Sequence, residues 1–129
     1  YASTDWMKKG MLMQTESYDD GRTWTAQHPT DMPSLSTPAH LIKLADGRLM
    51  ATHSSRQYPN SVYVTVSNDE GVTWQTRSTK TVCQDLVNFD STYPTSVQFA
   101  DGTLFTVWYG NRFGKFYIGY ARYGPESLQ

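Results

Sequence analysis

Ser17–Trp24 reads SYDDGRTW and Ser67–Trp74 reads SNDEGVTW. Both fit Ser-x-Asp-x-Gly-x-Thr-Trp with a second acid directly after the Asp, and they stand 50 residues apart. The residue types suit a tight turn. Asp19 and Asp69 can accept hydrogen bonds from backbone N–H groups of the turn. Gly21 and Gly71 can take the left-handed conformation. The hydroxyls of Ser17, Thr23, Ser67 and Thr73 tie the two arms together, and Trp24 and Trp74 are expected to pack beneath the turn or between units. A calcium loop is the rival reading. An EF-hand loop needs oxygen ligands at positions one, three and five, Gly at six and Glu at twelve. Here Gly follows the first acid by two places and no Glu falls at the right distance. His28, His40 and His53 lack ligand-like spacing, so no metal and no other cofactor is expected.

A second pair of segments recurs at an offset of 55: STPAHLIKLADGRLMAT from Ser36 and STYPTSVQFADGTLFTV from Ser91. Thr37/Thr92, Ala45/Ala100, Asp46/Asp101, Gly47/Gly102 and Leu49/Leu104 are identical. Two separate signals with a period of 50 to 55 residues point to propeller blades rather than helical solenoids. Each Asp-Gly sits between two β-rich runs, as in a two-residue hairpin. SVYVTVS (Ser61–Ser67) alternates with period two, KFYIGYAR (Lys115–Arg122) is the matching run one repeat later, and no window of helical length shows capped 3.6-residue periodicity.

The pattern predicts strands at about 11–16 and 24–28, then 39–44, 48–54, 61–67 and 74–80, then 95–100, 103–109 and 115–122. The expected fold is all-β, an incomplete β-propeller of antiparallel four-stranded blades amounting to about two and a quarter blades. It forms a single segment: a partial blade over 1–30, a full blade over 31–81 and a three-stranded blade over 82–129. That is too few blades to close a ring, so the outer sheets are expected to leave unpaired edges.

With a net charge of −1 and scattered Lys and Arg, nothing argues for nucleic acid, and no apolar run approaches a membrane span. Nine Tyr, five Phe and four Trp mark an ordered chain. Cys83 is the only cysteine, which excludes an intrachain disulfide and leaves the compartment open. The chain opens at Tyr1 with no signal-peptide pattern, as a mature product, a trimmed chain or a fragment would.

The doubled Ser-x-Asp-x-Gly-x-Thr-Trp resembles the Asp-box of the sialidase-like superfamily, also called the BNR repeat, over about residues 10–123. The resemblance implies a six-bladed propeller of which this chain supplies part. At offset 55 a third box would fall on Arg122–Gln129, RYGPESLQ, where Gly124, Glu126 and Gln129 replace the Asp, Gly and Trp. The third unit therefore lacks the box.

In an up-and-down blade both boxes and both Asp-Gly turns share one face. The opposite face receives the connections about Ala26–Pro38, Ser54–Asn60 and Thr81–Pro94, together with Tyr109–Gly114. It carries Arg56, Tyr58, Asp85, Asp90, Tyr93, Tyr109 and Arg112. Aromatic rings stack on pyranoses and arginine forks grip carboxylates, so Arg56, Tyr58, Tyr109 and Arg112 are candidate carbohydrate-binding residues. SSRQYPNSVYV resembles the family segment bearing a substrate-binding arginine, which would be Arg56. STYPTSV before ADGTLFTVWYG resembles the segment bearing the nucleophilic tyrosine, which would be Tyr93. Pro94 departs from the usual small polar residue after that tyrosine and draws the chain toward broader BNR-like relatives.

Family members that cleave sialic acid use three arginines, an acid/base Asp and a Glu that activates the tyrosine. The first arginine and the Asp come from early blades that this chain does not contain, and no second arginine or activating Glu can be placed. The expected function is a segment or relative of a sialidase-like glycoside hydrolase acting on an acidic or related glycan. The alternatives are a non-catalytic carbohydrate- or partner-binding module and a truncated, self-associating propeller without activity. The chain is expected to form homo-oligomers or to belong to a longer propeller.

Overall fold

A computed structural model describes residues 10–34, 37–56 and 58–128; Ser36, Gln129 and the Asp85 side chain lie outside that description, as does the start of the first expected blade. The chain is all-β, in three antiparallel sheets with each strand beside its sequence neighbour. The first sheet holds β1 (Met11–Gln14) and β2 (His28–Pro33). The second holds β3 (His40–Lys43), β4 (Leu49–Ser55), β5 (Asn60–Ser67) and β6 (Lys80–Leu86). The third holds β7 (Thr92–Gln98), β8 (Leu104–Arg112) and β9 (Lys115–Tyr123). Among the described residues no helix is long and apolar enough to cross a membrane.

The strand after each box starts later than its pattern suggests, at His28 instead of 24 and at Lys80 instead of 74. The box geometry explains the delay. Asp69 accepts the Thr73 N–H at 2.8 Å on Oδ1 and the Thr73 hydroxyl at 2.5 Å on Oδ2, while Ser67 Oγ accepts the Gly71 N–H at 2.8 Å. Asp19, Thr23, Ser17 and Gly21 repeat these bonds at 2.7–2.8 Å. Two successive residues are left-handed in each box, Asp20 with Gly21 and Glu70 with Gly71. The loop closes when the Gln75 N–H donates to the Val66 carbonyl at 2.8 Å, and a 3₁₀ turn over Thr76–Ser78 intervenes before pairing resumes.

The Asp-Gly hairpins also differ from a two-residue turn. The Gly47 N–H donates to the Leu44 carbonyl at 2.9 Å and the Leu44 N–H to the Arg48 carbonyl at 2.8 Å. Gly47, at φ 92°, is the left-handed residue of a three-residue loop.

The two box tryptophans have different fates. Trp74 packs between sheets, its Nε1–H donating to Gln14 Oε1 at 2.8 Å while Gln14 Nε2 donates to the Gly71 carbonyl at 2.8 Å. Trp24, 61% exposed, folds back against its own turn and donates to the Gly21 carbonyl at 3.1 Å, so of the two expected placements it takes the one at the turn and not the one between units. No described sheet stands on its outer side to receive it.

Between the second and third sheets, Leu44, Met50, Val64 and Val66 bury against Leu104 and Leu128. Val62 and Leu86 bury against Trp108. A Cβ on Gly119 would come within 2.6 Å of the Trp108 ring, so that cross-strand pair needs glycine. A file of hydroxyls crosses the seam, Thr52–Ser96–Thr106–Tyr123, each link 2.7 Å. Leu128 comes after the boxless turn beyond β9 and plugs the lower seam, where Arg48 Nη1 donates to its carbonyl at 3.2 Å.

His53 is fully buried between the first and second sheets. Its Nδ1–H faces the Pro33 carbonyl at 3.0 Å, so Nε2 accepts from the Thr65 hydroxyl at 2.9 Å. Burial lowers its pKa from 6.5 to about 4.

These contacts set the response of the fold to mutation and to acid. Trp74→Phe loses one interior hydrogen bond and about 1 kcal/mol in urea unfolding, while Trp24→Phe leaves the midpoint unchanged. The unfolded chain takes up a proton at His53 that the folded chain refuses. Stability is therefore whole above pH 6.5 and falls as the pH drops toward about 4, by about 3 kcal/mol across that window. His53→Gln flattens the slope. The Thr23 and Thr73 hydroxyls hold the Asp19 and Asp69 carboxyls below their ordinary value, so their contribution is lost only at more acid pH.

Candidate functional site

The face opposite the boxes is made by the β2–β3, β4–β5 and β6–β7 connections and the β8–β9 turn. These span 34–39, 56–59, 87–91 and 113–114, shorter than expected because β2, β6, β7 and β8 each run further into them. The site is thus built on strand ends more than on long loops, which fixes its side chains better.

β4 delivers Arg56 to the rim and β7 delivers Tyr93. The two strands run in opposite directions across the seam between their sheets, and Thr52 meets Ser96. Moving outward along both therefore brings Arg56 to the start of β7. Arg56 Nη2 donates to the Ser91 carbonyl at 3.3 Å, and the guanidinium lies 5.3 Å from the centre of the Tyr93 ring. Tyr93 is 52% exposed.

The start of β7 is bent. Thr92 has φ 101° and Tyr93 φ 43°, and the register with β8 shifts between Thr92 and Thr95. Positive φ at a β-branched threonine costs on the order of 1–3 kcal/mol and is found where a fold aims a side chain for use. Four buried polar atoms around this seam have no hydrogen-bond partner among the described residues: Ser54 Oγ, Arg56 Nε, Thr92 Oγ1 and Trp108 Nε1.

Tyr109 stands beside Tyr93, ring centres 5.7 Å apart, and next to Phe116 at 6.3 Å. Its hydroxyl donates to Asp90 Oδ1 at 2.9 Å, and Asn111 Nδ2 donates to Asp90 Oδ2 at 3.4 Å. Asn111 is held in turn by the Gly114 N–H at 2.9 Å. Burial, then the Asp90 hydrogen bond and charge, raise the Tyr109 pKa above the ordinary phenol value. Tyr109 keeps its proton and serves as a donor and stacking surface.

The structure thus brings together Arg56, Tyr93 and Tyr109. It does not bring in Tyr58, which is 91% exposed beyond the rim, or Arg112, which is exposed at the end of β8 opposite Lys115. Asp90 is the residue whose part the sequence understates, with Asn111 behind it. Asp90 lies three residues before Tyr93, but its pairing with Tyr109 depends on the β7–β8 register. Among the described residues no three His, Cys, Asp or Glu side chains gather as a metal site would need.

Chemically, the cluster offers a cation over an exposed ring, a second ring and a carboxylate network. A tyrosine attacks as a nucleophile only when a base takes its proton. Among the described residues no side chain hydrogen-bonds the Tyr93 hydroxyl.

The family model of the BNR repeat-like domain matches residues 4–106, well over half of the chain. The fold and the doubled box already define a sialidase-like propeller segment, and the chain belongs to this family. No curated protein and no solved structure matches it. The match includes Arg56, Asp90 and Tyr93 and stops before Tyr109.

Asp90→Asn removes both the charge and part of the hydrogen bond that raise Tyr109. The Tyr109 phenol then titrates closer to the ordinary value, as read by a carbon-13 NMR titration against Tyr109→Phe.

Proposed function

We propose that this chain supplies the acidic-carbohydrate-gripping part of a sialidase-like glycoside hydrolase. The observation that carries the reading is Arg56, anchored on the Ser91 carbonyl and laid over the Tyr93 ring. A guanidinium fixed in this way has a fork of donors for a carboxylate. Tyr93 and Tyr109 give the sugar ring two aromatic surfaces, Asp90 adds acceptors for hydroxyls, and Tyr58 and Arg112 lie further out as secondary contacts. Tyr93 is the group that would attack the anomeric carbon, with its activating base coming from outside the described residues.

The same Arg56–Tyr93–Tyr109 surface also supports a second reading that needs no base at the Tyr93 hydroxyl: a carbohydrate-binding module without turnover. Titration of glucuronate and sialoside ligands, followed by tryptophan fluorescence, tests what the two readings share. Arg56→Ala is expected to weaken acidic ligands by about ten- to a hundredfold, the cost of one charged hydrogen bond, and to leave neutral sugars unchanged. Equal loss for acidic and neutral sugars removes Arg56 from the role. Hydrolysis of fluorogenic sialosides and uronides that disappears in Tyr93→Phe supports the hydrolase; binding without hydrolysis supports the module.

A further inference from the structure

Ser54, Arg56 and Thr92 each bury a polar atom that finds no hydrogen-bond partner among the described residues: Ser54 Oγ, Arg56 Nε and Thr92 Oγ1. Their places in the strands bring them to one spot. Side chains two apart on a strand share a face, so Ser54 and Arg56 look toward β7 as Thr52 does. On β7 the buried positions alternate as Thr92, Pro94 and Ser96. Thr52 meets Ser96 and Arg56 reaches Ser91, so Ser54 falls level with Pro94 and Arg56 with Thr92. The fourth such atom, Trp108 Nε1, lies over Gly119, on the β9 side of β8 and away from β7.

Each of the three is open for a reason that can be traced to the chain. At one step of the seam Thr52 finds the Ser96 hydroxyl; at the next, Ser54 meets Pro94, which has neither a hydroxyl nor an N–H. Thr37, the counterpart of Thr92 one repeat earlier, donates its hydroxyl to the Ser54 carbonyl at 3.0 Å within its own sheet. Thr92, at φ 101°, is turned out of the equivalent bond. Arg56 spends Nη2 on the Ser91 carbonyl, and its Nε–H, which can only donate, is left with no acceptor. Both walls of this spot belong to the described chain, the second sheet on one side and the third on the other, and Ser54 and Thr92 are fully buried. No further repeat unit can reach them.

We propose that Ser54 and Thr92 are positioning residues for Arg56 and act on it through one internal water. A buried water makes about three hydrogen bonds to otherwise unpaired polar groups, and this spot supplies that number of partners. The water oxygen accepts the Arg56 Nε–H, and its protons go to the Ser54 and Thr92 hydroxyl oxygens. Held by the water at Nε and by the Ser91 carbonyl at Nη2, the guanidinium is fixed at two corners and cannot swing off the Tyr93 ring. Its Nε is then closed to ligands, and an acidic group is met by the Nη atoms alone. This consequence for ligands rests on the reading of Arg56 as the residue that grips the acid; the water itself does not.

A high-resolution crystal structure of the whole chain tests the water without any variant. One ordered water is expected within about 3.2 Å of Ser54 Oγ, Thr92 Oγ1 and Arg56 Nε. Direct pairing among the three, a side chain in that place, or no ordered water there overturns the proposal. In solution, Thr92→Val keeps the branched shape at the same backbone angle and removes only the hydroxyl, while Thr92→Ser keeps the hydroxyl. Exchange of the Arg56 Nε–H, read by nitrogen-15 NMR, should quicken about five- to tenfold in Thr92→Val and in Ser54→Ala, and stay at the parent rate in Thr92→Ser. Glucuronate binding should weaken by a similar factor with neutral sugars unchanged. Ser54→Ala combined with Thr92→Val should be little worse than either alone, because both groups hold one water. Equal loss for neutral sugars, additive loss in the double variant, or no rescue by serine overturns the proposal. Acid binding lost in Arg56→Ala but untouched by Thr92→Val and Ser54→Ala overturns the positioning and leaves the proposed function standing. The water and the exchange effect, without glucuronate binding, uphold the positioning and remove the proposed function.

Discussion

The grip of the Asp69 carboxylate on Thr73 governs how one sheet is joined to the next. One oxygen takes the Thr73 N–H and the other its hydroxyl, and Ser67 holds Gly71 from the opposite arm. To meet those bonds Glu70 and Gly71 must both be left-handed, which reverses the chain within a few residues. The reversal lands Trp74 against Gln14 of the preceding sheet. A local turn thereby becomes a link between sheets, and β6 begins only after the link is made. The seam where Arg56 and Tyr93 meet is the next one, between the second and third sheets, and it is closed by Leu104 and Leu128 against Met50 and by the Thr52–Ser96 hydroxyl pair.

The seams between the sheets are not uniformly oily. Leucines, valines and a methionine fill the end nearer the boxes, but a hydroxyl file runs through the middle of one seam and a neutral imidazole through the other. Buried polar groups of this sort stabilise only when every member has a partner. The file ends at Tyr123 and the imidazole sits between Pro33 and Thr65, so both networks are closed. The polar atoms left open are Ser54 Oγ, Arg56 Nε and Thr92 Oγ1 near the Arg56 rim, and Trp108 Nε1 in the same seam.

Much of the fold is legible in the residues because it rests on local chemistry. The period-two runs and the positive-φ glycines place β3, β4, β5, β8 and β9 close to their observed positions. The strands after the boxes are not legible to the residue, because the start of β6 depends on the 3₁₀ turn and on where Trp74 finds its partner. Trp24 and Trp74 occupy identical motif positions and differ only in whether a sheet stands beside them, which no local pattern records. The same holds at the site. Arg56 and Tyr93 can be picked out by resemblance, but their stacking depends on two strands meeting across a seam. The bend at Thr92 and the Asp90–Tyr109–Asn111 network likewise come from register. Tyr58 and Arg112 have the right side chains on the right face and fall outside the cluster, because a loop position alone does not set where a side chain reaches.

Leu128 separates the job of the Asp-box from its spelling. Among the described residues the turn after β9 has no carboxylate grip, no left-handed pair and no tryptophan, yet the hole at the lower end of its seam is closed by one leucine that the preceding unit's Arg48 holds through its backbone carbonyl. What a seam demands is a stopper of adequate volume, delivered from the turn after the third strand. The motif is one way to deliver it, so a repeat unit can shed its recognisable letters and still be mechanically whole. Counting boxes in proteins of this kind gives a floor for the number of sheets, not the number itself.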